Sequence, residues 1–246
     1  HVVLDVHGVL NKRNSRDVFS DPSLRPWYSH MSGKYRYFYS NNSSQRRQYA
    51  AFNPRMGMVF NAVKHKDIQL FANISRSYEP PTFDELVGTE VTSNINTSPK
   101  KLFSIGLEKQ TATTFEVGSK GRLRQLSWNV AYYHSWVNHE ILEVKDYVRG
   151  LKRTENYPHT LHQGLEIGIQ AASKPHFFGL NIGTFTLGAV YDYSRFIFKG
   201  GKYDGKYLAG IPKHYVNASL DYRHSSGFNG SVALELKPGK TPIDHT

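Results

Sequence analysis

The chain has 246 residues, with 31 Lys+Arg against 20 Asp+Glu and a formal net charge of +11 with His neutral. At 39% hydrophobic and 21% charged residues it is too apolar for a disordered polyelectrolyte, yet no window holds the ~18 consecutive apolar residues of a transmembrane helix. Cysteine is absent, which excludes from these residues a disulfide framework, a thiol nucleophile and any cysteine-based zinc or iron–sulfur site.

There is no initiator Met and no basic-then-apolar leader, and the opening residues His1 to Val6 already read as the middle of a strand. The far end, Pro242 to Thr246, carries neither strand nor cap, so the expectation is an interior piece of a longer protein. Period-two alternation then dominates. Met56, Met58, Phe60 and Ala62 alternate with Arg55, Gly57 and Asn61; Ile68, Leu70, Ala72 and Ile74 alternate with Gln69, Asn73 and Ser75. A strand near Thr113 to Lys120 follows, then Leu126, Trp128, Val130 and Tyr132 against Gln125, Ser127, Asn129 and Tyr133. The clearest case sets Leu161, Gln163, Leu165, Ile167, Ile169 and Ala171 against His162, Gly164, Glu166, Gly168 and Gln170. Phe185 to Tyr193, Val216 to Tyr222 and Val232 to Leu236 complete about nine strands, with no convincing amphipathic helix.

Several of these strands exceed the ~5–6 residues usual in soluble sheets and reach the ~9–11 that a tilted strand needs to cross a bilayer. Short turns are expected near Lys64 to Asp67, Lys120 to Arg122 and His224 to Gly227, with a medium one near Ser173 to His176. Long connections, Asn11 to Tyr49, Ser77 to Lys101, Glu143 to Pro158 and Lys199 to Pro212, fall strictly between them. That alternation suits an outer-membrane barrel, with short turns periplasmic and long loops outside. Tyr49, Phe52, Tyr78, Trp136, Tyr191, Tyr193, Phe196 and Tyr222 sit at strand ends, where an interfacial aromatic girdle would lie.

Five segments resemble, in order, the barrel of TonB-dependent outer-membrane receptors. Phe52-Asn53-Pro54-Arg55-Met56-Gly57-Met58-Val59-Phe60 is similar to that family's "sPrlGlvy" strand. The run from Leu70 through Tyr78-Glu79-Pro80-Pro81-Thr82-Phe83-Asp84-Glu85-Leu86 resembles "yasyseafrPPtfsEL". Leu107 to Gly118 resembles "LkPEkstnyEvGlk", with Lys109-Gln110 where Pro-Glu is commoner. Asn156 to Glu166 matches a strand whose Gly and Glu point into the lumen, and Leu208-Ala209-Gly210-Ile211-Pro212-Lys213-His214 resembles "lpgiPrh". Together they cover nearly the whole chain.

The resemblance implies an all-β, antiparallel up-and-down transmembrane β-barrel segment. Its nine or so strands would belong to a barrel of roughly 22, with residues 1–246 forming one partial barrel domain. The family's plug, its TonB-contacting segment and its last strand have no counterpart here. The implied protein is not an enzyme and needs no cofactor. It is a receptor of the Gram-negative outer membrane that imports a ferric siderophore or other metal chelate, energised by the TonB complex through the missing plug. Glu116, Glu166, Asp221 and Arg223 would face the lumen or plug. Lys12, Arg13, Arg16, Arg25, Lys34, Arg36, Arg46 and Arg47 crowd the first long loop, where a positive funnel would draw anionic chelates, or phosphates of lipopolysaccharide would bind. Arg76 and Arg195 keep lipid-facing parity at the outer ends of their strands and are assigned to lipid headgroups. Position alone makes Arg46, Arg47, Tyr78, His139, Tyr157, His159 and Lys213 the candidate ligand residues at the outer mouth.

Other readings have distinct marks. His134, His139, His159 and His162 could approach one another on adjacent strands as a copper or haem site. A hydrolase would need a nucleophile with its base, but no GxSxG, phosphate loop or paired carboxylates appear. The basic residues are spread over loops, not along one strand face or helix, so nucleic acid is not expected as a partner. A passive porin would have to close from this chain alone, and a soluble β-sandwich would bury Ile167, Ile169 and Leu220 against a second sheet.

Overall fold

Period-two alternation becomes one continuous antiparallel sheet. The computed structural model describes residues 1–15, 25–29, 34–38, 45–62, 67–91, 100–146, 151–173, 175–177 and 180–243. Its strands are β1 (Val2–Ser15), β2 (Arg25–Ser29), β3 (Lys34–Phe38), β4 (Gln45–Asn61), β5 (Asp67–Glu79), β6 (Val87–Val91), β7 (Lys100–Ser104) and β8 (Gln110–Leu123). There follow β9 (Leu126–Asp146), β10 (Leu151–Ala172), β11 (His176–Phe177), β12 (Leu180–Asn181), β13 (Thr184–Phe198), a 3-10 turn (Gly201–Tyr203), β14 (His214–Arg223) and β15 (Asn229–Leu236). The wall runs β1-β4-β5-β8-β9-β10-β13-β14-β15, an up-and-down order in which each strand pairs with the next antiparallel. These are the nine expected strands. The pairs β2–β3, β6–β7 and β11–β12 are small hairpins within the connections.

The register carries the alternation from strand to strand, so each face is built of rows. One row reads Ser119, Val130, Ile167, Tyr191, Val216 and Leu236. The row beside it, on the other face, reads Phe71, Gly118, Ala131, Glu166, Asp192 and Tyr215. The apolar face stays open: Ile169 is 43% and Leu220 45% exposed, with Phe60, Met58, Leu187 and Val232 likewise exposed. No second layer covers it among the described residues, which is the opposite of what a sandwich requires.

Most of the core sits at one end. Leu86, Leu107, Val137, Leu161, Ile197, Phe198 and Leu208 are buried, and all lie where connections fold back on the strand ends that the long loops join. A single-layer wall has no interior of its own, so most burial appears where loops lie on it; within the wall, small residues such as Ala131 and Gly164 are also buried on the polar face.

Close cross-strand packing fixes the wall locally. A Cβ at Gly118 would collide with the Phe71 ring, and one at Gly164 with the Tyr133 ring, in each case directly opposite in register. Phe71, apolar on the polar face, is thus accounted for by the glycine it covers.

Several expectations are corrected. β8 runs on to Leu123, so the turn near Lys120 to Arg122 moves to Arg124-Gln125, where Arg124 takes φ 55. The Glu143–Pro158 connection is mostly strand, because β9 extends to Asp146 and β10 starts at Leu151. Likewise β1 extends to Ser15 and β4 begins at Gln45, shortening the first connection from both sides. The turns near His224 to Gly227 and after Ser173 stand, whereas residues 63–66 lie outside the described residues. Three expected girdle residues lie elsewhere: Tyr49 is buried on the polar face with its hydroxyl donating to Leu107 O at 3.1 Å, Phe196 stacks on His162 at 4.1 Å on the same face, and Tyr191 stands in the middle of β13, in register with Ile167 and Val216.

Candidate functional site

At the mouth, the polar-face residues of β4 hold the connection between β5 and β8. Gln45 Nε2 donates to Leu86 O at 3.0 Å, Tyr49 donates to Leu107 O, and Lys109 Nζ donates to Ala50 O. The outgoing arm closes on itself. Thr82 N–H donates to Glu85 Oε2 at 2.6 Å while Glu85 N–H donates to Thr82 Oγ1 at 3.4 Å, a reciprocal box that gives the Pro-Pro-Thr-Phe-Asp-Glu-Leu segment its turn. The box delivers Leu86, fully buried, to its place under β4.

The returning arm is clasped by Asn156 of β10. Its amide oxygen accepts Glu108 N–H at 2.7 Å, and its nitrogen donates to Glu108 O at 3.0 Å and His139 O at 2.8 Å. Gln110 Oε1 accepts Ile141 N–H at 2.9 Å, so the residue that departs from the family's Pro-Glu still supplies a side-chain oxygen acceptor there. Asn156→Ala is expected to cost about 1–2 kcal/mol, because three backbone groups lose their partner at once. Hydrogen exchange over residues 105–110 should accelerate; unchanged protection would contradict the clasp.

His139 has φ 54, unusual for a residue with a side chain. This kink switches the parity of β9. Asn138 still shares the apolar-side parity of Trp136, but Glu140, which strict alternation would place there too, is buried on the polar side. Its carboxylate accepts from Thr160 Oγ1 and, at 3.2 Å, from His162 Nε2. His139 Nδ1 faces Glu108 Oε2 at 3.1 Å.

The candidate mouth residues do not form one cluster. Arg47 lies on the polar face against Gly106, directly paired with Arg13 of β1, whose guanidinium sits 5.2 Å from the Phe83 ring. Arg46 and Tyr78 share the outward parity of Phe52 and Ile74. β10 lies four strands beyond β4, roughly 19 Å at about 4.8 Å per strand. There, Tyr157 packs on Phe198 at 4.4 Å and donates to Gly200 O, with Tyr203 6.2 Å away. Lys213 Nζ lies 3.6 Å over the Tyr207 ring. His159 pairs with Asn138 at 2.8 Å. Lys12 and Arg13 stand on β1, whereas Arg16 and the side chains of Arg25, Lys34 and Arg36 lie outside the described residues. Arg13 stands out in the sequence only as one of the first loop's basic residues, Asn156 only as the start of its segment and Glu140 not at all, because each acts through a contact distant in sequence.

The proposed lumen residues all take polar-face positions. Glu116 accepts from Asn73 Nδ2 at 2.9 Å and lines a concavity of about 520 Å3 with Asp5, Arg55 and Lys120. Asp221 and Arg223 line another, of about 470 Å3, near the opposite end. Glu166 stands directly opposite Asp192 in register.

The four histidines do not converge. His134 bonds Gln163 on the apolar side and His162 bonds Glu140 on the polar side, since His134 is in register with Gln163 and successive residues of one strand face apart. Among the described residues no group of three or more His, Asp or Glu could hold a metal ion.

Residues 21–238 match the model of the TonB dependent receptor-like β-barrel family. The chain belongs to that family, whose members are outer-membrane transporters and not enzymes. No curated protein matches it significantly. Among solved structures it is similar to the copper transporter OprC, with TM-score 0.62 and 15% identity over 91% of this chain and 31% of that one. It is also similar to a G324V mutant of the ferric enterobactin receptor PfeA from Pseudomonas aeruginosa, with TM-score 0.59 and 15% identity over 95% of this chain and 38% of that one. The ferric-catecholate import receptor Fiu from K12 E. coli gives TM-score 0.55 and 16% identity over 94% of this chain and 31% of that one. The chain thus spans about a third of the length of the structures it matches. The apolar face is accordingly the lipid side, the polar face the lumen side, and the loop-covered end the outer mouth.

Proposed function

We propose that residues 1–246 are a partial barrel domain of a receptor that imports a ferric siderophore or related iron chelate, energised by TonB through a plug in the full protein. The observation that carries the substrate reading is the lining of the mouth: Arg13 and Arg47 stand side by side on the lumen face, with Phe83 against one of them. Across the wall stand Tyr157 and Tyr203, packed around the buried Phe198 ring. Paired guanidiniums suit an anionic chelate and aromatic rings suit catecholate faces. Solved neighbours of the same fold include receptors for ferric enterobactin and ferric catecholates. Of the mouth candidates, Arg47 and Tyr157 are the ones we place against the ligand first, with His139 and Lys213 beside the loops that border it. Arg46, Tyr78 and His159 are the outer rim.

The test uses the full-length receptor. Arg13→Ala with Arg47→Ala is expected to weaken binding of ferric enterobactin at least about tenfold, the loss of roughly one charge-assisted contact, and to lower iron uptake in iron-limited cells. Uptake should also collapse with a protonophore if TonB supplies the energy. Unchanged binding in the double variant would remove these arginines from the site, and uptake that survives the protonophore would remove the energised mechanism.

A further inference from the structure

The lipid face carries one connected polar row. Counting from Leu126 to Trp136 on β9, ten residues at about 3.3 Å and a tilt of about 40° cover roughly 25 Å, the height of a barrel's apolar band. His134, Gln163 and Arg195 lie side by side on β9, β10 and β13, one step below the Trp136 level at the outer edge of that band.

The three are wired in a fixed sense. Gln163 Nε2 donates to His134 Nδ1 at 2.9 Å and to Tyr132 Oη at 3.2 Å. Both amide hydrogens are thereby used, which turns Gln163 Oε1 toward β13, where Arg195 Nη1 donates to it at 2.7 Å. The His134 ring is in turn seated against Trp136 at 4.2 Å. Below Arg195, Tyr193 and His214 form an aromatic shelf with centroids 5.4 Å apart.

Among the described residues the guanidinium therefore has a neutral partner and no anionic one. Within the band the wall-strand carboxylates Asp5, Glu116, Glu166, Asp192, Asp221 and Glu235 all have lumen parity, on the other side of the sheet. A cation held at the outer edge of a hydrocarbon layer, with its remaining N–H groups unneutralised, calls for an anion from the membrane.

We propose that Arg195, oriented through Gln163 by His134 and Tyr132, is a binding site for the phosphate of an outer-leaflet lipid such as lipid A. Arg195 makes the charge contact, and Gln163 is a positioning residue. The site rests on reading this face as the lipid side of the receptor.

The full-length receptor in non-ionic detergent, titrated with bisphosphoryl lipid A and read by native mass spectrometry, tests it. Wild type should hold one lipid A that millimolar inorganic phosphate does not displace. Arg195→Gln should weaken retention about tenfold or more, and Arg195→Lys less. Gln163→Glu should also weaken it although the arginine remains, because the new carboxylate takes up its charge. Lys240→Gln, equal in charge change but remote, should have no effect. Folding of each variant is checked by heat-modifiable migration. Full retention by folded Arg195→Gln, or displacement by inorganic phosphate, would overturn the lipid site. A wild-type chain that does not enter the outer membrane would overturn the receptor reading and the site with it.

Discussion

Ile167→Arg is expected to cost about 2–4 kcal/mol of folding free energy in a bilayer, while Gln170→Arg costs under about 0.5. The two positions are three residues apart on β10 but on opposite faces. Ile167 stands in the row with Val130, Tyr191 and Val216, halfway between the Trp136 and Tyr222 levels, where a guanidinium is farthest from either interface. Gln170 meets the hydrated lumen, where arginine keeps its water. Denaturant titration of the refolded full-length receptor in lipid vesicles reads the difference. Equal effects at the two positions would mean that the faces are not lipid and water.

Gly164→Val is expected to cost about 1–3 kcal/mol by overpacking, since any Cβ there enters the space of the Tyr133 ring. Tyr133→Ala in the same chain should relieve the clash, leaving the double variant at least about 1 kcal/mol more stable than the sum of the two single changes. The same titration measures all three. Simple additivity would show that the ring does not lie on Gly164. Because Glu116 and Tyr133 are neighbours in register, displacement of the ring also reaches a proposed lumen residue.

The wall was legible in the sequence because its signal is local. A strand with lipid on one side and water on the other must alternate, and residues 161–171 or 216–222 alternate without help from the rest of the chain. Strand ends were less legible for the same reason. Toward the ends that the long loops join, polar residues such as Glu143 fall on the apolar parity although the ladder continues through them. The left-handed turn at His139 is a further departure that a strict period of two cannot anticipate, and it moves Glu140 to the other face. Tyr49 and Phe196 have the residue type of a girdle, but their parity puts them on the polar face.

The mouth was legible only in outline. Its arginines are visible in composition, but that Arg47 takes the polar face beside Arg13 needs the register of β1 on β4. The Asn156 clasp joins residues 48 apart in sequence. The Thr82–Glu85 box, by contrast, is written at the spacing of its own bonds, and its segment stood out for that reason.

The central claim is that these strands line a membrane wall with the stated faces, and a thiol scan across β10 tests it most directly. The 246 residues contain no cysteine, so each introduced thiol is the only one in this segment. The variants Leu165→Cys, Glu166→Cys, Ile167→Cys and Gly168→Cys are made in the full-length receptor and labelled with an environment-sensitive dye. The account predicts quenching by lipid-borne nitroxides at 165 and 167 and by an aqueous quencher at 166 and 168. Loss of that alternation, with all four positions equally open to water, would contradict it.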